Sequence, residues 1–196
     1  MDIVIATNNL GKVKEFQSLL APYGYTVKSL KDFPEIEEVE ETGTSFEENA
    51  CMKAEYLAKV LDCLVVADDS GLEVDALNGE PGVYSARYAG LEKDDEKNLQ
   101  LVLENLKDVA PENKTARFIC VMALAKPGEL TKTYRGVCEG MIIDEKKWTN
   151  GFGYDPIFYF PPCKMTSAMM SMEEKNKYSH RAKALKKLYS ILKEML

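Results

Sequence analysis

The chain has 196 residues, 45% of them hydrophobic, and a formal net charge of −7. That length suits one sizeable domain, or two lobes sharing a core, and the apolar fraction argues against a disordered chain. The acidic balance disfavours a general nucleic-acid binder, and no apolar run approaches the roughly 20 residues of a membrane span.

The start, Met1-Asp2-Ile3-Val4, lacks the basic stretch of a secretory signal. Five cysteines (Cys51, Cys63, Cys120, Cys138, Cys163) form no C-x-x-C pair, and the single histidine, His180, makes a zinc cage hard to assemble. Several of the cysteines sit inside apolar stretches and read as small core residues in a reducing compartment, so the expected address is the cytoplasm.

Asp2 to Ala6 is a short apolar run read as a buried strand. Thr7-Asn8-Asn9-Leu10-Gly11-Lys12 follows as a polar turn, and a helix with Val13, Phe16, Leu19 and Leu20 on one face then ends near Gly24. The stretch from Glu35 to Gly43 carries five glutamates, and Ser45-x-x-Glu48 reads as a capping box opening a helix to about Leu61. The apolar stripe of that helix is Phe46, Ala50, Ala54, Leu57 and Leu61, and Lys53 falls on it.

Cys63 to Ala67 reads as a second buried strand, with Asp68-Asp69-Ser70-Gly71 where it ends. A loop with Gly and Pro spans Asn78 to Gly82, and Tyr84 to Tyr88 follow it. Asp94 to Leu106 is amphipathic through Leu99, Val102, Leu103 and Leu106. Phe118–Ala125 and Thr131–Ile143 read as strands, and Gly151 to Pro156 as a tight glycine-aromatic loop. The last helix is expected from Ser179, with Ala182, Leu185, Leu188 and Leu192 toward the core. Strands and helices intermix without strict alternation, which predicts an α/β fold with a mixed sheet.

Four constellations can carry chemistry. Small polar side chains and a glycine before a helix make Thr7 to Lys12 an anion site to which Lys12 adds charge, although no P-loop is present. Its alternative is a capped helix with a surface lysine. Asp68, Asp69 and the glutamate cluster offer hard oxygen ligands suited to Mg²⁺ or Mn²⁺. Most of those glutamates are expected to form a solvated loop.

Adjacent aspartates on a strand face opposite sides, so one can meet a ligand while the other braces it. Lys53, on an apolar helix face, either snorkels out or pairs with Asp68 or Asp69. Phe152, between two glycines, offers a ring for stacking on a base or fills the core. Lys175, His180 and Arg181 near the last helix can donate hydrogen bonds, and for Lys175 the alternative is a solvated face.

Taken in order, these segments resemble the inosine triphosphate pyrophosphatase family. The resemblance rests on Ala6-Thr7-Asn8-Asn9-Leu10-Gly11-Lys12-Val13-Lys14-Glu15, on Glu41-Thr42-Gly43-x-x-Phe46-x-Glu48-Asn49-Ala50-x-x-Lys53-Ala54, and on Ala67-Asp68-Asp69-Ser70-Gly71-Leu72. It also rests on Pro81 to Tyr88, Gly151-Phe152-Gly153-Tyr154-Asp155-Pro156, and Ser179-His180-Arg181. The matches run from residue 6 to residue 181. One departure is Asn8, where many members carry glycine; the turn and Lys12 remain in place.

The resemblance implies one nucleoside triphosphate pyrophosphatase domain over residues 1–196, an elongated α/β structure with a long curved mixed sheet, two lobes and a central cleft, and a cytoplasmic homodimer. It implies hydrolysis of deaminated purine nucleoside triphosphates (ITP, dITP, XTP) to the monophosphate and pyrophosphate, with Mg²⁺ as cofactor and Mn²⁺ as an alternative. Carried over by position, Thr7, Asn8, Asn9, Leu10, Gly11 and Lys12 would bind the triphosphate. Glu40, or its neighbour Glu41, and Asp69 would hold the metal, with Asp69 also the proton acceptor.

By the same carry-over, Ser70, Phe152, Gly153, Tyr154, Asp155, Lys175, His180 and Arg181 would contact the nucleotide, and Lys53 and Asp68 would support the site. Donors at His180 and Arg181 would favour the 6-oxo acceptor of hypoxanthine and xanthine over the 6-amino group of adenine. Two other readings stand beside this one: a phosphotransferase using Lys12 as a phosphate lysine, and a nucleotide sensor without turnover.

Overall fold

The computed structural model describes residues 2–37, 39–148 and 150–195. Seven strands form one sheet in the order β2-β1-β3-β4-β5-β6-β7: β1 Asp2–Ile5, β2 Thr26–Ser29, β3 Val65–Val74, β4 Thr115–Ala125, β5 Lys132–Ile142, β6 Phe158–Phe160 and β7 Met165–Thr166. Strand β1 pairs in parallel with β2 and β3, whereas β6 pairs antiparallel with β5 and β7, so the sheet is mixed as expected. Among the described residues five α-helices accompany it: α1 Leu10–Leu20, α2 Phe46–Leu61, α3 Asp95–Asn105, α4 Met172–Tyr178 and α5 His180–Met195.

By residue contacts the chain divides into two compact units, the first of residues 1–69, 120–136 and 180–196, the second of residues 70–119 and 137–179. The core of the first unit is built from Ile3 and Ile5 of β1, Phe16, Leu19 and Leu20 of α1, Val66 of β3, Cys120, Met122 and Leu124 of β4, and Ala182, Ala184, Leu185 and Leu188 of α5. Helix α1 therefore buries the face the sequence marks out. Glu38 and the side chain of Leu192 lie outside the described residues.

Two close approaches fix the functional ends of this unit. Asn9 caps α1, its Oδ1 accepting from the Lys12 N–H at 3.1 Å, an interaction worth about 1 kcal/mol. Gly136 of β5 lies against the first turn of α5. A Cβ there would collide with the His180 carbonyl oxygen and the Ala184 nitrogen, so only glycine admits that turn.

Helix α2 begins at the Ser45 cap, whose Oγ accepts from the Glu48 N–H at 3.2 Å. The Glu48 carboxylate reaches the N–H and hydroxyl of Thr44, at 2.7 and 2.9 Å, and tightens the loop before the helix.

The second unit packs Leu72 and Val74 of β3, Leu99 and Val102 of α3, Leu106, Ala116 and Phe118 of β4, Cys138 and Ile142 of β5, and Tyr154, Ile157, Phe158 and Phe160. Of the five cysteines, all free thiols, Cys120 and Cys138 are buried and the other three half-buried.

The largest departure from the sequence reading is in β3. The sequence places Asp68-Asp69-Ser70-Gly71 where a strand ends, but the strand runs on to Val74 and holds both aspartates in its interior. Turn-forming residue types are overridden here because each carboxylate meets cations within the fold. Residues 172–178, unassigned from sequence, form α4, with a capping box between Ser171 and Glu174; α5 then starts at His180, one residue after the expected Ser179.

Candidate functional site

Within the first unit the expected residues of α1, α2, β3 and α5 come together. Thr7 is buried at the end of β1, and its hydroxyl accepts from the Asn9 N–H at 3.2 Å. Asn8, Asn9 and Leu10 are exposed, so the turn before α1 is open to solvent. Lys12, in the first turn of α1, reaches down to Asp68, with Nζ 2.9 Å from Oδ2.

Asp68 is fully buried, and Arg181 of α5 also approaches it, Nε lying 3.8 Å from the same oxygen. Arg181 is only 2% exposed, and its Nη1 forms an ion pair with Glu15, one turn along α1 from Lys12. Burial alone would push the Asp68 carboxyl up. Lys12, Arg181 and Lys53 outweigh it and hold the group well below the usual carboxylate range.

Because side chains alternate along a strand, Asp69 faces the other way and meets a different set of partners. Its Oδ1 lies 3.3 Å from the Lys53 ammonium, and its Oδ2 accepts from the Asn49 amide at 3.2 Å. Lys53 also donates to Glu41 at 2.6 Å. The lysine on the apolar stripe of α2 is thus buried and pairs inward, with Asp69 of the two aspartates. Burial opposes its charge, but Asp69 and Glu41 raise its pKa above the ordinary lysine value.

Asp69 is shifted upward, chiefly by burial, with Lys53 and Lys12 opposing and Glu41 and Asp68 adding to the rise. A buried carboxylate of raised basicity beside two lysines is equipped to accept a proton close to an anion. Glu41, not Glu40, is the acidic-loop residue held in this cluster; Glu40 is exposed to solvent.

The second unit contains a separate group. Asp155 is buried, and its Oδ2 accepts from the Phe152 N–H at 3.1 Å and from the Lys175 ammonium at 2.7 Å. The same ammonium sits 5.9 Å from the centre of the Phe152 ring. Phe152 and Gly153 are half-buried, and the Gly153 N–H donates to Asp95 at 2.8 Å. Tyr154 is a core ring, with its hydroxyl on the Ser85 carbonyl at 2.7 Å. Ser70, half-buried, follows Asp69 on β3.

Sequence reasoning quoted Glu15 and Asn49 among the family's matching stretches but gave neither a role in the site. Each carries a signal of the kind that marked Lys53: a polar side chain among the buried residues of an amphipathic helix, Glu15 four residues before Leu19 and Asn49 next to Ala50.

In this α/β protein a lysine in the first turn of α1 thus reaches Asp68 of β3, while Asp69 beside it meets Lys53 of α2. The chain belongs to the Ham1 family, whose model matches residues 3–191. It is 54% identical over 194 residues to the dITP/XTP pyrophosphatase of Listeria monocytogenes serotype 4b, covering 99% of this chain and 96% of that one. To the dITP/XTP pyrophosphatase of Bacillus subtilis strain 168 it is 55% identical over 191 residues, covering 97% and 96%. Among solved structures, the Staphylococcus aureus Ham1 protein superposes with a TM-score of 0.87 at 45% identity and full coverage of both chains. The Mycobacterium abscessus nucleoside-triphosphatase / dITP/XTP pyrophosphatase gives 0.76 at 44% identity, covering 96% and 98%.

Proposed function

We propose that this chain is a nucleoside triphosphate diphosphatase that hydrolyses dITP, ITP and XTP to the monophosphate and pyrophosphate. The observation that carries the reading is identity above half, over nearly the full length, with proteins named dITP/XTP pyrophosphatase. In this reading water attacks the α-phosphorus, the bond to the bridging oxygen breaks, and pyrophosphate leaves. Asp69 accepts the proton of the attacking water. Thr7 to Lys12 hold the triphosphate through the helix N-terminus and the Lys12 charge. Asp68 keeps Lys12 in place.

Mg²⁺, or Mn²⁺, belongs to the same proposal, held by Asp69 with Glu40 or Glu41. The donor set fits such an ion: Asp69 and Glu41 share one ammonium, offer only oxygen, and are too few to enclose a cation without water and phosphate, which is how Mg²⁺ is commonly bound. Bound there, the ion would neutralise charge on the departing pyrophosphate. A homodimer in the cytoplasm completes the reading. Among the described residues no helix is long and apolar enough to cross a membrane.

Incubation with ITP and Mg²⁺ should release pyrophosphate and IMP, without IDP or orthophosphate. Accumulating IDP would point to stepwise phosphate removal and sink the reading. Absence of any turnover would favour the sensor.

For base choice, His180 and Arg181 supply the donors that match a 6-oxo group in this reading. Arg181→Lys keeps the charge that Glu15 and Asp68 require but loses the planar fork of donors, and should shrink the ITP-to-ATP ratio. An unchanged ratio in that variant would remove Arg181 from base recognition.

A further inference from the structure

We infer that Asn49 is a positioning residue that ties the acidic loop to Asp69. Asn49 is fully buried in the first turn of α2, and both ends of its amide are engaged. Its Nδ2 donates to Asp69 Oδ2 at 3.2 Å, and its Oδ1 accepts from the Gly43 N–H at 2.8 Å. The two bonds fix which way the amide points, since a carboxylate can only accept and a backbone N–H can only donate.

A second observation makes the contact specific. A Cβ on Gly43 would lie 2.6 Å from Asn49 Oδ1 and 2.8 Å from the Glu48 Cβ, so the backbone reaches the amide only because residue 43 has no side chain. Gly43 follows Glu41 by two residues, and Glu41 is bound to the same Lys53 that pairs with Asp69. Asn49 and Lys53, one turn apart on α2, therefore grip Asp69 from its two oxygens and the acidic loop from two points. Asp69 is left with a fixed carboxylate plane, and the loop with a fixed distance from it. Displacing a reacting group by about 1 Å can cost on the order of 10²-fold in rate, so a clamp of this kind acts on turnover and not on nucleotide affinity.

The inference rests on the proposed hydrolysis. Wild-type turnover of ITP tests that reading, and only the ratio of variant to wild type tests Asn49. Asn49→Asp keeps the acceptor for Gly43 but sets a carboxylate against Asp69; kcat for ITP should fall about 10²-fold with KM within about threefold of wild type. Gly43→Ala leaves Asn49 in the chain but drives its amide away, and should lower kcat by about tenfold, again with little change in KM.

If the two residues act through one contact, adding Gly43→Ala to Asn49→Ala should cost little beyond the single change. A melting curve for each variant separates these losses from loss of folded protein. Undiminished kcat in Asn49→Asp, or losses that multiply in the double variant, would overturn the inference. Should the Asn49 variants fail to fold, undiminished kcat in Gly43→Ala would do the same.

Discussion

Asp69→Asn is expected to lower turnover of ITP by about two orders of magnitude or more, the scale on which a general base contributes. The substitution keeps the shape of the side chain and removes its charge and its basicity. It also disturbs the local pairing. Asp69 now accepts from Lys53 on one oxygen and from Asn49 on the other. An asparagine must turn its own amide group toward one of those two donors, so one contact becomes donor against donor.

The same charge serves the proposed metal, whose removal with EDTA should abolish activity in the wild type. Activity that survives EDTA would remove the metal from the reading, and near-normal turnover in Asp69→Asn would remove Asp69. Because Lys53 loses a counter-charge while keeping Glu41, the variant should remain folded, which a melting curve checks.

How far the sequence reveals this site depends on the range of the interaction involved. Periodicity alone marks the buried faces of α1, α2, α3 and α5, because a helix repeats its pattern over several turns. It also places Lys53 on a buried stripe, and the structure shows the lysine paired with Asp69. The short strands β2, β6 and β7 carry too few residues for alternation to emerge, and they exist because neighbouring strands pair with them. The path of β3 through Asp68 to Gly71 is hidden for a different reason. Its residue types favour a turn, and only cations supplied from α1, α2 and α5 make two adjacent carboxylates tolerable inside a strand. One partner of Arg181, Glu15, is likewise 166 residues away in sequence, where no local pattern reaches.

That buried pairing sets the second large effect. Arg181→Ala should destabilise the protein by about 3–5 kcal/mol, the usual cost of removing one partner from a buried ion pair. For a chain of this size each kcal/mol moves Tm by roughly 2–4 °C, so the melting point should drop by about 6–20 °C. Glu15 and Asp68 are both buried and both face the guanidinium, which is why truncation strands carboxylates and does not merely leave a hole.

Asp68 keeps Lys12, so the larger share of the loss should fall on Glu15. Replacing both residues by methionine (Arg181→Met with Glu15→Met) should recover part of the lost stability, since similar volume is refilled without charge. The pH dependence follows from Asp68, whose pKa in the folded protein is depressed against the burial that would raise it by Lys12, Arg181 and Lys53. Such a carboxyl contributes stability that is full above its unfolded value of about 3.9 and lost as pH falls through the folded value. Removing Arg181 weakens that depression. Because both proteins share the same unfolded reference, the stability gap between wild type and Arg181→Ala should be full at neutral pH and narrow as the pH falls through the interval between their two folded Asp68 values. A gap that widens in acid, or a Tm shift under about 2 °C at neutral pH, would mean that water already compensates these charges.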